Sequence, residues 1–244
     1  MRASKLSGVR TRHASIRAGA GIRLAAVLAV FSLAGCGGST GNSIASRTPA
    51  EILAASRAVA TSATSVHVVS NASQGRLTAT LNLQLAGDGG RAQVSLLGLT
   101  FEVMRIGQTV YLKGSPDLYQ RLGIAANVPQ GSWLTGPVSG RLGQLAAFTD
   151  LRGELGRLLP ASNARLVKGA STNIDGQQAL ELKATAKLYT GILYIPTTGK
   201  PYPIKLAKHG KETGQSTFFQ WNTPITLNPP TNTTNLNQLQ HKNH

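Results

Sequence analysis

The chain has 244 residues, 25 basic against nine acidic, a formal charge of +16, one cysteine and only 5% aromatic residues. A single cysteine excludes an intrachain disulfide framework, so any fold must be held by its core. Dispersed basic residues, with no zinc-finger spacing and no aromatic RNA-binding motif, argue against a nucleic-acid partner.

The first 23 residues carry Arg2, Lys5, Arg10, Arg12, Arg17 and Arg23 and no acid, and residues 24–33 are apolar except for Ser32. Ten residues are too few for the roughly 20 that a helix needs to cross a bilayer core. A basic segment, a short apolar segment and small residues read as a secretory leader. That leader ends in Leu33-Ala34-Gly35-Cys36, which resembles the bacterial lipobox, where a cysteine thiol takes a diacylglyceryl group and becomes the first mature residue. The competing reading is an ordinary leader with a chance cysteine, or a buried thiol acting as a small hydrophobe. Two acyl chains suffice for stable anchoring where one does not. The expected organisation is a signal peptide at 1–35, a tether at 36–47, a folded domain at 48–227 and a disordered polar tail at 228–244. Cleavage before Cys36 removes six basic residues and no acid, leaving 19 against nine, or +10. That surplus suits anionic membrane surfaces or a merely soluble surface.

Residues 37–47 are rich in Gly, Ser, Thr and Asn, a flexible composition. Thr48-Pro49-Ala50-Glu51 is a capping box with proline at the first helical position, and a helix over 49–61 follows, with Ile52, Ser56 and Val59 on one face. The period then changes to two. Strands are predicted at 65–71, 76–86, 91–97, 99–106 and 109–113, a meander with short turns. In 76–86, Leu77, Ala79, Leu81, Leu83 and Leu85 alternate with polar residues, the mark of a sheet with one dry face. Short helical segments are expected at 116–122, 137–148 and 151–159, the last two weakened by glycines at 140, 143, 153 and 156. Strands return at 164–174, 177–186, 188–196, 202–208 and 215–221, with an Asp175-Gly176 hairpin turn.

A one-face-dry sheet of ten or eleven strands coils through strand twist. The expected class is therefore α+β: a strongly curved antiparallel half-barrel with helices packed on its concave face. Candidate cavity-lining residues on the dry face are Leu81, Leu83, Val94, Leu96, Phe101, Val103, Leu180 and Leu182, which pack equally well against helices as a filled core.

The lipobox, "SWL" at 132–134, "VKG" at 167–169, Asp175-Gly176 and "LYIPTTGKPYPIKL" at 193–206 resemble the actinobacterial LppX and LprG type of lipoprotein, related to the LolA and LolB carriers. The resemblance implies a LolA-like cavity that binds an acylated lipid or glycolipid and passes it within the cell envelope. Read without it, the "PTTGKPYPIKL" stretch is turn geometry, because its prolines cannot sit inside a ladder.

The nine acids are spread singly, and no HExxH, GxSxG or Walker-type loop occurs. His67 has no spaced partner that would make a metal pair or a triad. No enzyme activity, cofactor or metal is expected. Two functions remain: a lipid-anchored monomeric carrier on the outer face of the cell membrane, or an envelope-sensing or protein-binding lipoprotein with a filled core and an envelope protein as partner.

Overall fold

The Thr48 capping box forms as its sequence dictates. In the computed structural model, which describes residues 41–124 and 128–241, Glu51 N donates to Thr48 Oγ1 at 3.4 Å and the Glu51 carboxylate accepts from Thr48 N at 2.9 Å. These bonds satisfy two of the helix's orphan donors and start α1 (Pro49–Thr61), which buries Ile52, Leu53, Ser56 and Ala60 and leaves Val59 half-exposed. The described residues belong to one unit, Ser39–His244.

Five strands follow with short turns: β1 (Ser65–Gln74), β2 (Leu77–Ala86), β3 (Gly89–Leu96), β4 (Leu99–Ile106) and β5 (Thr109–Lys113). Then come α2 (Pro116–Arg121), β6 (Trp133–Pro137), a 3-10 helix (Arg141–Thr149) and α3 (Leu151–Leu158). A second meander contains β7 (Arg165–Ile174), β8 (Gln177–Thr185), β9 (Tyr189–Pro196), β10 (Lys205–Gly210) and β11 (Glu212–Phe219), and the chain continues into β12 (Thr233–Asn235) and α4 (Leu236–His241).

The two meanders join where β1 pairs antiparallel with β11, giving one sheet in the order β12-β6-β5-β4-β3-β2-β1-β11-β10-β9-β8-β7. All pairings are antiparallel except β12 with β6. The expected half-barrel is corrected by this order. The sheet has twelve strands, and it is open, ending in β7 on one side and β12 on the other without curling toward closure. Alternation marks the dry face at Leu83 and Leu85, with Leu81 half-buried, but fails at Leu77, which stands exposed at the start of β2, and it carries no measure of coiling. Strong curvature needs bulges or glycine bends repeated along the ladder. The register shift among the described pairings lies between Lys168 and Ser171, at the edge strand β7.

Helices cover the dry face. The 3-10 helix lies against β2 to β6, α1 against β7 and β8, and α3 touches both. One continuous core results, in which Leu83, Val103, Leu112, Leu182 and Leu193 from the sheet meet Ile52, Leu142 and Leu155 from the helices. The expected helix at 137–148 is a strand up to Pro137 and then a 3-10 helix from Arg141.

Two segments expected to lack structure have it. At the N-terminal side, Asn42 N donates to Thr197 O at 2.9 Å, the Asn42 side chain donates to Pro196 O and Gly199 O, and Ile44 is 1% exposed. At the C-terminal side, β12 lies on β6 and Leu236 is 3% exposed. The reason is common to both: backbone pairing requires no hydrophobic side chain, so polar composition conceals a segment fixed by its main chain and one buried residue.

Candidate functional site

Beyond the end of the helical layer, the dry face opens into a cleft of about 290 Å³ between α3 and the strands β1, β2, β10 and β11. One wall is apolar, made by Leu81, Phe148 and Leu158. Two ion pairs also line the cleft, one from the β10–β11 hairpin and one from α3. Lys208 Nζ donates to Glu212 Oε1 at 2.6 Å while lying 4.5 Å from the Tyr189 ring centroid, and Arg157 pairs with Glu154. The floor holds Ser70 and Ser216, their hydroxyls 2.8 Å apart and both buried.

Glu154 is the unusual member, an acid only 3% exposed. Asp150 fixes the helix that carries it, its carboxylate accepting from Arg152 N at 3.2 Å. Arg157, the partner of Glu154, also donates to Ala147 O at 3.1 Å. Burial pushes the Glu154 carboxyl above the usual carboxylate range, and the neighbouring Arg157 opposes this only in part. Folding therefore favours the protonated form. The stability tied to this group is full below the ordinary glutamate pKa and is lost as pH rises through the raised one. Glu154→Gln is accordingly expected to raise the melting temperature at pH 7, with the gain over wild type closing toward about pH 4; calorimetry across pH reads both. A gain that did not shrink on acidification would remove the buried charge as its cause.

The wet face carries a second depression, about 420 Å³ across β1 to β4, lined by Asn71, Thr80, Asn82, Gln93, Ser95 and Thr100 among others. Next to it, His67 Nε2 pairs with Asn82 Oδ1 at 2.7 Å and its Nδ1 lies 3.4 Å from Gln220 Oε1, with the ring 4.2 Å from that of Phe219. Arg91 and Glu102 form an ion pair across β3 and β4. The partners of His67 are thus amides and an aromatic ring. Among the described residues, no three of His, Cys, Asp and Glu gather as metal ligands would.

The candidate lining residues occupy the dry face. Leu83, Val103 and Leu182 are 0% exposed, Val94, Leu180 and Phe101 are buried, and Leu81 and Leu96 are half-buried against the same cluster. Of the eight, Leu81 reaches the cleft, and Phe101 meets Phe148 edge to face at 6.0 Å. Cys36 lies outside the described residues. The "PTTGKPYPIKL" stretch is a clasp: Asn42 binds carbonyls at both ends of its turn, Trp221 Nε1 donates to Pro203 O at 3.2 Å, and Tyr202 stacks on Trp221 at 4.8 Å. Its strand begins at Lys205, after the prolines, because β10 is an interior strand and proline has no N–H for the ladder. The sequence pattern does not single out the Lys208–Glu212 pair, because its members face each other across a hairpin rather than along a helix.

No family model and no characterised protein matches the sequence. Among solved structures, the chain is similar to the Mycobacterium tuberculosis lipoprotein LppX at 13% identity over 74% of this chain and 98% of that one, with a TM-score of 0.46. It is similar to an uncharacterised conserved protein from Thermus thermophilus at 12% identity, over 76% and 97% of the two chains, with a TM-score of 0.38. A third likeness is to the MucA/MucB complex of Pseudomonas aeruginosa at 16% identity, over 73% and 58%, with a TM-score of 0.36. These are distant, low-identity structural resemblances, and they do not assign the chain to the LppX and LprG or the LolA and LolB families.

Proposed function

We propose that the mature chain is an exported lipoprotein, anchored through Cys36 to the outer face of the cell membrane, whose filled-core domain binds an envelope protein and makes or breaks no bond. The observation that carries this reading is the packing of the dry face. Leu83, Val103, Leu182 and Leu193 are fully enclosed, and the cleft beside them holds about 290 Å³ behind two ion pairs. Small-molecule sites start at roughly 300 Å³ and are mostly apolar, which leaves little for the paired tails of a membrane lipid. The broad wet-face depression suits an extended peptide better, because the Gln93 amide carries both a donor and an acceptor for a backbone, and Asn71 and Asn82, whose oxygens already bond Gln215 N and His67, still present amide N–H groups. Export and anchoring are supported by the leader and lipobox in residues 1–36.

Carriage of an acylated lipid keeps one observation in its favour, the apolar wall of Leu81, Phe148 and Leu158. Native mass spectrometry of residues 39–244, purified without detergent, separates the two. The expected result is the bare polypeptide mass, together with a discrete protein adduct in cells from a photo-crosslinker placed at Gln93. A retained lipid mass, with no adduct from Gln93, would overturn the protein-binding reading in favour of carriage.

A further inference from the structure

Five large hydrophobic side chains are exposed among the described residues, and three of them stand at one end of the sheet: Leu77 at 52%, Leu97 at 54% and Leu188 at 38%. The strand registers place them there. Gln74 pairs with both Leu77 and Glu212, Ala79 with Leu96, and Gly210 with Tyr189, so the β1–β2, β3–β4, β10–β11 and β8–β9 turns form one row. Glu212 N donates to Leu188 O at 3.1 Å, tying two of these turns together. The same turns carry Arg76, Lys187 and Lys211, and their one acid, Glu212, is already held by Lys208.

The β3–β4 turn is the most informative. Its two central residues are Leu97 at φ 55° and Gly98 at φ 76°, a hairpin geometry that prefers asparagine or aspartate followed by glycine. The β7–β8 hairpin of this chain uses that preferred pair, Asp175 and Gly176. At the corresponding place Leu97 accepts left-handed backbone strain and gains no burial in return. A strained leucine held out in water is explained by something apolar that receives it.

We infer that this leucine-tipped, basic end of the sheet docks onto an anionic lipid surface, the leucines entering the headgroup layer while Arg76, Lys187 and Lys211 meet its negative charge. This goes beyond the protein-binding reading and uses a different surface. The lipid layer is not the one that holds the anchor, a step that rests on Cys36 as the proposed attachment point. Gly41 pairs with Thr198, in the turn after Pro196 at the other end of the sheet. A strand of eight residues separates the two ends by about 26 Å, whereas the five residues from Cys36 to Gly41 reach at most about 18 Å. The tips therefore face an opposing lipid layer.

Residues 39–244 serve for the test, because the whole core lies between Ile44 and Leu236. They are expected to co-sediment with vesicles containing phosphatidylglycerol, more weakly at high salt, and far less with phosphatidylcholine alone. The pair Leu77→Ser and Leu97→Asn should weaken binding tenfold or more. Leu97→Asn by itself should not lower the melting temperature, since asparagine suits the turn, so lost binding is not lost folding. Equal binding by the double variant, or none by the wild type, would overturn the docking surface. For the opposing layer, residues 36–244 are coupled through the Cys36 thiol to a maleimide lipid in neutral vesicles, and addition of phosphatidylglycerol vesicles should cluster the two populations. Binding in the first experiment without clustering in the second would overturn the opposed geometry. Neither result bears on the mass-spectrometric test of protein binding.

Discussion

Leu83→Asp, and independently Leu182→Asp, should leave the domain without a cooperative melting transition. Both leucines are 0% exposed, on β2 and β8, in the cluster closed by α1, the 3-10 helix and α3. Truncation of such a side chain to alanine costs about 2–5 kcal/mol. Aspartate adds the burial of a carboxylate with no partner, several kcal/mol more. Domains of this kind hold only about 5–15 kcal/mol in total, so the sum consumes the stability of the fold. Leu81→Asp is the control. Leu81 lies two residues away on the same face but borders the cleft, where water reaches a carboxylate, and the variant should melt cooperatively with a modest loss. Near-ultraviolet circular dichroism and thermal melting separate the three. If Leu83→Asp folded as well as Leu81→Asp, solvent or ligand space would have to adjoin Leu83, and the filled core, with the protein-binding reading built on it, would fall.

The parts of this fold legible in the sequence are those set by side-chain pattern. Thr48 and Glu51 announce α1 because their side chains make the cap, and Leu81, Leu83 and Leu85 of β2 mark its buried face because alternation is a side-chain property, whereas Leu77 at the strand's first position keeps the pattern without the burial. What escaped reading is set by main chain or by distance. β6 reads Trp-Leu-Thr-Gly-Pro, and its glycine and proline resemble a turn, yet Leu134 is 0% exposed and the strand pairs on both sides. β12 is Thr-Thr-Asn, with nothing apolar to announce it. A faint signal existed in Leu236 and Leu239, spaced three apart just beyond it and both packed on the core. The dry face was legible as dry. Whether helices or a ligand fill it is decided by the reach of the 3-10 helix across five strands, a long-range fact that no local pattern contains. Similarly, Glu154 and Arg157 could be paired by their spacing, but the burial that makes Glu154 unusual comes from the sheet beneath it.

The four glycines of the helical layer show the same division at single residues and lead to the second large effect. By propensity each weakens a helix by up to about 1 kcal/mol relative to alanine, which predicts that every Gly→Ala change there stabilises. Their surroundings differ. A Cβ on Gly156, in α3, would meet nothing within 4 Å, so Gly156→Ala should gain close to the full propensity term. A Cβ on Gly143, in the 3-10 helix, would lie 1.7 Å from the carbonyl oxygen of Val138. That contact is with backbone, which no rotamer change relieves, and the segment lies over β2 to β6. Gly143→Ala must displace the layer that closes the core, at a cost of about 1–3 kcal/mol or more. Denaturant titration of the two variants should move the midpoint in opposite directions. Stabilisation by both would mean that the 3-10 helix shifts freely over the sheet, and a layer that loose would open the space that its packing against Leu83 and Val103 now denies to a ligand.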